Sequence, residues 1–322
     1  MTHLLVTGSR GFVGQGLVPF LAARGVSGIA TGREPPAGLP PGWRGVLRTA
    51  LLGGTADPGP LDAVVHLEVK QHVPRPTAAD EAEFDRVNVG HTGEWLEWAA
   101  RQGVGRFGFV STIKAVAAAD SPQTEAAPLA PNTPYGRSKA AAERLVQAWA
   151  AADPSRQAVI LRPAPVYGPG NEANLAAFVR QIVMGKPCLI GRGETRKSVV
   201  SRTNLAAAIA FAAAHAKPGC EVYNVADRDT FTLAALARLI AELAGAPTPK
   251  SMPAVIAAAA APVGDLIESI TGREFPLTTA RLRAIRETSV FPCDKLMAAG
   301  FAHPQSTREG LSEMLTWLKS QT

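Results

Sequence analysis

Three side chains between residues 111 and 139 have the types and spacing to move a proton together. Tyr135 and Lys139 are four apart at the start of an Ala-, Glu- and Arg-rich stretch, 137–151, that predicts a helix, and positions i and i+4 of a helix share a face. Thr112 follows the apolar run Phe107-Gly-Phe-Val110, which reads as a buried strand. A phenol and an ammonium on one helix face, met by a hydroxyl from a strand end, make an acid/base device. The phenol titrates at about 10 in water, and a nearby cation is expected to lower that toward neutrality. The plain alternative is a half-buried tyrosine beside a solvated lysine, so the surrounding elements have to decide.

The chain opens with a short apolar strand, 4–7, followed by Gly8-Ser-Arg-Gly11-Phe-Val-Gly14 and an amphipathic helix. A glycine-rich turn between a strand and a helix lets backbone N–H groups and the helix N-terminus approach a pyrophosphate. The backbone of Gly8, Gly11, Phe12, Val13 and Gly14 is the candidate cradle. A second strand, 28–31, ends at Gly32-Arg33-Glu34. Arg33 and Arg10 place two guanidiniums where the adenosine ribose of a dinucleotide lies, which favours NADP over NAD. The alternative has Glu34 holding an unphosphorylated ribose.

Further strands are expected within 45–52, over 61–67 and 107–111, and at 158–161, with helices at 80–102 (carrying Asn88) and 137–151. Strands alternating with helices predict an α/β fold with a doubly wound parallel sheet. The Pro/Gly-rich segment 162–170 breaks that rhythm. Beyond it come a helix at 174–185, short strands at 186–190 and 197–200, a helix at 203–216 that faces the large sheet, a strand at 222–225, and helices at 232–244 and 279–287. The division expected is a nucleotide-binding domain of residues 1–165 plus 198–228, and a smaller α/β substrate region of 166–197 plus 229–322.

Composition narrows the partners. The 322 residues are 46% hydrophobic and 19% charged, which suits a sizeable core and argues against disorder. The net charge of +6 is scattered, with no Lys/Arg run longer than two, so a phosphate-bearing small molecule explains it as well as a nucleic acid would. Three well-separated cysteines suggest no disulfide framework or metal site, and fit the cytoplasm. A strand beginning at once leaves no room for a signal peptide. The apolar run 254–261, ended by Pro262, is too short to span a bilayer and reads as an Ala-rich buried helix. No nucleic acid and no membrane partner are expected.

Taken in order, Thr7-Gly-Ser-Arg-Gly-Phe-Val-Gly14, Asp62-Ala-Val-Val-His-Leu67, Asn88-Val89, Val110-Ser-Thr112, Tyr135-Gly-Arg-Ser-Lys139, Leu161-Arg-Pro163 and Val166-Tyr-Gly-Pro-Gly170 resemble the extended short-chain dehydrogenase/reductase family, in its nucleotide-sugar epimerase, reductase and dehydratase branch. The resemblance runs from residue 4 to about 318. It implies a Rossmann domain, an NAD or NADP cofactor, a nucleotide-linked sugar substrate, and a homodimer formed through the helices of 80–102 and 137–151. It makes Tyr135 the acid/base, Lys139 a ribose ligand that lowers the tyrosine pKa, Thr112 the hydroxyl on the same substrate oxygen, and Asn88 the residue ordering the active-site helix. Leu67, Glu68, Ser111 and Pro163 join the glycine turn, Arg10, Arg33, Tyr135 and Lys139 as cofactor neighbours. Asn174, Arg196, Lys197 and Arg286 become candidates for the nucleotide diphosphate. Sugar 4,6-dehydratases carry an acidic pair after the active-site threonine. Ile113 and Lys114 stand there instead, which argues against dehydration.

Three positions depart from the family pattern. Glu68-Val69 replaces two alanines where the backbone passes the cofactor. A carboxylate there is repelled by a pyrophosphate unless Lys70 or a ribose hydroxyl compensates, so Glu68 either points away or reads the nicotinamide ribose. The adenine-reading acid expected near residue 50 is missing from Arg48-Thr-Ala-Leu51, and His91 stands where relatives have glycine. The reading is an NAD(P)-dependent 4-ketoreductase or 4-epimerase of a nucleotide-diphosphate sugar. The alternatives are a reductase of a non-sugar carbonyl, such as a hydroxysteroid or flavonoid-like ketone, and a non-catalytic NADP-binding regulator.

Overall fold

The computed structural model describes residues 2–321 except 35, 72, 74, 118, 120, 172, 173, 188, 272–274 and 276, and the backbone alone at Asn174. The first half of the chain runs β1 (His3–Thr7), α1 (Phe12–Ala22), β2 (Ser27–Gly32), β3 (Trp43–Leu47), α2 (Arg48–Leu52), β4 (Ala63–His66), α3 (Ala78–Phe84), α4 (His91–Arg101), β5 (Arg106–Val110), α5 (Pro134–Ala151) and β6 (Gln157–Pro163). There follow β7 (Val166–Tyr167), α6 (Asn174–Val183), β8 (Leu189–Ile190), β9 (Arg196–Lys197), β10 (Val200–Ser201), α7 (Arg202–His215) and β11 (Gly219–Val225). The chain closes with β12 (Phe231–Thr232), α8 (Leu233–Ala244), β13 (Ser251–Met252), α9 (Ala254–Thr271), α10 (Thr279–Arg286), α11 (Asp294–Ala298) and α12 (Thr307–Ser320).

Seven strands form one sheet in the order β11-β6-β5-β4-β1-β2-β3, every neighbouring pair parallel. The chain moves outward from β1 to β2 and β3, then restarts at β4 on the other side. The strand order therefore reverses between β1 and β4, and a crevice opens beyond their carboxyl ends. Because both faces of a parallel sheet are covered, its strands carry unbroken apolar runs. One face packs Leu17, Val18 and Leu21 of α1 and Leu205 and Ile209 of α7. The other packs Trp95 and Trp98 of α4 and Val146 and Trp149 of α5. A smaller core gathers α6, α8 and α12 around Tyr167, Val179, Leu236 and Met314. Leu296 and Phe301, late in the chain, return to the core of the large sheet.

The α/β doubly wound sheet is as the sequence implies, and the local differences have physical causes. The third strand ends at Leu47, and residues 48–52 are helical rather than extended. Leu51 is buried there, and its carbonyl accepts from Trp98 Nε1 at 2.9 Å. The helix expected over 80–102 is interrupted by a π-helical turn, Asp85–Gly90. The Asn88 carbonyl in that turn accepts from Thr92 Oγ1 at 2.7 Å. The run 254–261 is not a buried helix ended by Pro262. Pro262 lies inside α9, only Ala257, Ala261, Gly264 and Glu268 of that helix are buried, and the rest of it faces outward or is half-buried. The sequence reading did not include α11 or α12. Cys188 and His72 lie outside the described residues.

Candidate active site

Thr112 and Tyr135 meet because of a glycine. Thr112 lies two residues past β5 and caps a short 3₁₀ turn, Ile113–Ala115, where its Oγ1 accepts from Lys114 N at 3.2 Å. Thr133 caps α5, accepting from Gly136 N at 3.1 Å, and Pro134 occupies the first turn, where its missing N–H costs nothing. A Cβ at Gly136 would stand 2.4 Å from the Lys114 carbonyl oxygen. Only glycine lets the first turn of α5 lie against the turn that carries Thr112. The Thr112 and Tyr135 hydroxyls share a hydrogen bond, and the Tyr135 ring sits edge-on to Phe84 at 6.0 Å.

Lys139 lies one turn further on, 1% exposed. Its Nζ donates to the Val110 carbonyl at 2.8 Å and stands 4.0 Å over the Phe109 ring. Burial lowers its pKa to about 7, against the opposing pull of Glu143. Burial likewise pushes the Tyr135 phenol up to about 12, with the Thr112 hydrogen bond pulling the other way. The expectation that Lys139 brings the phenol toward neutrality is therefore corrected: desolvation weakens the lysine's own charge, its ammonium is turned to Val110, and the phenol stays protonated across the neutral range.

A buried network sets the angle of α5. Asn88 Nδ2 donates to Ser138 Oγ at 2.9 Å, its Oδ1 accepts from Lys70 N at 2.8 Å, and Ser138 Oγ donates to the Tyr135 carbonyl at 2.9 Å. Asn88 thus ties the loop after β4 to the turn that carries Tyr135, as a positioning residue. Ser111, expected beside the cofactor, instead donates to Glu143 Oε1 at 2.5 Å, and Glu143 pairs with Arg162 at 2.7 Å with both fully enclosed. Ser138, Glu143, Arg162 and Gly136 were missed at the sequence level. The available signal was Glu143, one turn beyond Lys139 on the same buried helix face. Pro163 ends β6 beside this network.

The glycine turn fits a pyrophosphate. Gly8 has a left-handed φ of 64°, and a Cβ there would stand 2.7 Å from Glu68 N; a Cβ at Gly14 would stand 2.6 Å from Ser9. The turn therefore crosses the end of β4, at Leu67, in backbone contact. Gly11 is the N-cap of α1 and offers no side chain, so the N–H groups of the first turn, through Phe12, Val13 and Gly14, stay available to an anion. Thr7 Oγ1 accepts from Leu67 N at 3.2 Å and bonds His66 Nδ1 at 2.7 Å, which locks the ends of β1 and β4 together. His66 is fully buried, and burial holds it neutral, down to about 3, against the pull of Glu68. At the rim, Arg10 is ion-paired with Glu34, while Arg33 is exposed and forms no ion pair among the described residues.

The three departures from the family pattern come together. Glu68 Oε1 meets His91 Nδ1 at 2.9 Å, and Oε2 meets Trp95 Nε1 at 3.1 Å and Arg48 Nε at 3.3 Å. Arg48 also pairs with Glu94. Burial opposes ionisation of Glu68, but the His91 and Trp95 hydrogen bonds outweigh it and lower the pKa to about 2. Of the two alternatives, the carboxylate is the one drawn toward α2 and α4 and matched there by a cation.

The expected diphosphate contacts are dispersed. Lys197 Nζ donates to the carbonyls of Ala284, at 2.9 Å, and Glu287, at the C-terminal end of α10. That is a helix-terminus role. Arg196 and Arg286 are exposed, and the side chain of Asn174 lies outside the described residues. Among the described residues, no cluster of His, Cys, Asp and Glu could hold a metal.

A reversed strand order, a glycine cradle at the reversal and a Thr–Tyr–Lys trio beside it define an α/β oxidoreductase-type nucleotide-binding protein. The model of the NAD dependent epimerase/dehydratase family matches residues 4–226, and the chain belongs to that family of NAD-dependent enzymes. A UDP-glucose 4-epimerase of Vibrio cholerae is 31% identical over 254 residues, 76% of each chain. An N-acetyl-alpha-D-glucosaminyl-diphospho-ditrans,octacis-undecaprenol 4-epimerase of Escherichia coli O157:H7 is 26% identical over 72% of this chain and 70% of its own. A ceramide reductase of Caulobacter vibrioides is 29% identical over 98% of this chain and 94% of its own. MoeE5, solved in complex with UDP-glucose and NAD, shares the fold with a TM-score of 0.76 at 24% identity over 99% of both chains.

Proposed function

We propose that the protein is an NAD(P)-dependent oxidoreductase acting at a hexose carbon of a nucleotide-diphosphate sugar, as a 4-ketoreductase or 4-epimerase. The observation that carries the reading is the hydrogen-bonded Thr112–Tyr135 hydroxyl pair, with Lys139 one turn along and the glycine cradle across the crevice. The nicotinamide dinucleotide, held by the turn 8–14 and by Lys139, supplies or accepts the hydride when bound. Tyr135 passes the proton to or from the sugar oxygen, and Thr112 donates to the same oxygen as charge develops. A phenol held protonated is suited to donating to a carbonyl. The UDP-sugar named in the Vibrio cholerae relative and the UDP-glucose bound by MoeE5 support the substrate class.

On the cofactor, Glu34 takes one of the two arginines that favour NADP, so Arg33 is left as the reader of a 2′-phosphate. Arg196 and Arg286 are the candidate diphosphate ligands, with Asn174. A homodimer through α4 and α5 suits the exposed Leu145, which lies beside Gly93 of α4. Cys220 and Cys293 are free thiols, which suits the cytoplasm.

A second reading has one specific observation behind it. The ceramide reductase matches 98% of this chain, against 76% and 72% for the Vibrio cholerae and Escherichia coli relatives. A reductase of a long-chain, non-sugar carbonyl follows from that. The deciding experiment is to denature the purified protein and identify released nucleotide by mass, then assay the enzyme with NADPH or NADH against a UDP-4-ketohexose and a 3-keto long-chain amide, with Tyr135→Phe as control. Turnover of the UDP-ketohexose, lost in the variant, is expected. Turnover of the amide alone would transfer the assignment to the second reading. Retained NAD with interconversion of UDP-glucose and UDP-galactose would make it an epimerase.

A further inference from the structure

Helix α9 has its polarity reversed. Its two charged residues both turn toward the protein. Glu268, 6% exposed, pairs with Arg75 and lies 4.0 Å from Arg281, and Asp265 accepts from Thr279 N at 3.1 Å at the start of α10. The outward side carries Val255 (81% exposed), Ile256 (55%), Val263 (56%), Leu266 (59%) and Ile270 (74%). These are five of the nine large apolar side chains exposed among the described residues. A surface helix of a globular protein places its apolar stripe inward and its charges outward. A contiguous outward apolar stripe marks a surface that meets something other than water.

We propose that this face is a docking surface for an anionic phospholipid bilayer, with α9 lying in the plane of the headgroups. By length and composition α9 could cross a membrane. Its inner side rules that orientation out in the folded protein: Gly264 is pressed so close to the Leu277 carbonyl that a Cβ would stand 1.9 Å from it, and Ala257 and Ala261 share a core with Leu282 of α10. A helix clamped along one side and apolar along the other is built to lie at an interface. The surrounding charge selects the occupant. Arg283 is exposed on α10, which packs on α9, and Lys250 is exposed just before β13 leads into α9, while the acids of α9 itself are turned inward. A cationic rim around an apolar stripe complements anionic headgroups over acyl chains. A second copy of this chain would set the same cations against each other. The Arg75–Glu268 pair also connects α9 to the loop after β4, whose Lys70 backbone is bonded to Asn88. The sequence expectation of no membrane partner is the one this proposal replaces, and it holds whichever carbonyl substrate is the true one.

The test is flotation of the full-length protein with vesicles of equal parts phosphatidylglycerol and phosphatidylcholine, against vesicles of phosphatidylcholine alone. The comparison protein is the triple variant Val263→Glu, Leu266→Glu, Ile270→Glu, with its fold checked by circular dichroism and its thermal transition. The expected result is binding to the anionic vesicles about tenfold or more above the neutral ones, reduced by salt, and lost in a folded triple variant. Equal flotation of the triple variant, or no flotation of the wild type with either vesicle, overturns the proposal. So does a wild-type oligomer in solution that the triple variant dissociates, since that assigns the face to a second copy. If the triple variant does not fold, the single variant Leu266→Glu is scored by the same criteria.

Discussion

Glu68 and Arg48 face each other at 3.3 Å across the ends of β4 and β3. Each replaces what the family pattern leads one to expect, an alanine at 68 and an acid near 48–51, and each alone would disturb a dinucleotide site. Together with His91 they form a cluster in which the carboxylate is matched before any phosphate approaches. Both side chains of the pair are 14% exposed, so losing one partner leaves a poorly hydrated charge behind. Glu68→Gln and Arg48→Met are each expected to destabilise the protein by about 2 kcal/mol, and the double variant by clearly less than the sum. Urea denaturation of the four proteins in the cycle measures this, and strict additivity would dissolve the cluster as an energetic unit.

Tyr135→Phe is expected to lower kcat by about 10²–10⁴-fold, and Thr112→Val by a smaller factor. With the phenol held at about 12, the protonated form is the available one at neutral pH. Rates in the carbonyl-reducing direction should be flat on the alkaline side, and rates in the alcohol-oxidising direction should climb as pH rises. Initial rates in both directions over a pH series check this. An alkaline decline of the reducing rate centred near neutrality would show that the phenol titrates far lower in the working complex.

His66 gives the protein a defined acid weakness. Its pKa in the fold is about 3, below the 6.5 of an unfolded histidine. Between those values the unfolded chain takes up a proton that the folded chain does not, so stability is complete above 6.5 and drains as pH falls toward 3. Glu68, lowered to about 2 from 4.5, adds a loss of the same sign over its own lower window. The His66 contribution is on the order of 5 kcal/mol over its full window. Unfolding free energies measured from pH 7 downward should fall steeply, and His66→Gln, although less stable at pH 7, should show a shallower slope between 6.5 and 4.5.

Lys197 separates a structural from a substrate role. Bonded to the last carbonyls of α10, it is expected on Lys197→Met to cost about 1 kcal/mol of stability while leaving KM for a nucleotide sugar within a few-fold of wild type. A rise in KM of a hundredfold with unchanged stability would restore Lys197 as a diphosphate ligand. Arg286→Ala provides the contrast, with the effect on KM and none on the thermal transition.

The parallel α/β sheet and the candidate Thr112, Tyr135 and Lys139 set were legible in the sequence because they rest on local rules. Short unbroken apolar runs, a glycine turn of set spacing and an i, i+4 pair on a helix announce themselves within about ten residues of chain. The family resemblance, carried by motifs in order, was what led to the expectation that Asn88 joins Thr112, Tyr135 and Lys139. What the tertiary structure alone decided was direction and charge state. Whether Glu68 faced a phosphate or an arginine depended on Arg48 and His91, 20 residues before it and 23 after. Whether Tyr135 was acid or base at rest depended on how much water the packing of α5 left around it and around Lys139. Whether α9 was core or surface depended on which of its faces met α10. In each case the determining quantity is desolvation, set by atoms far away in sequence, and no local pattern encodes it.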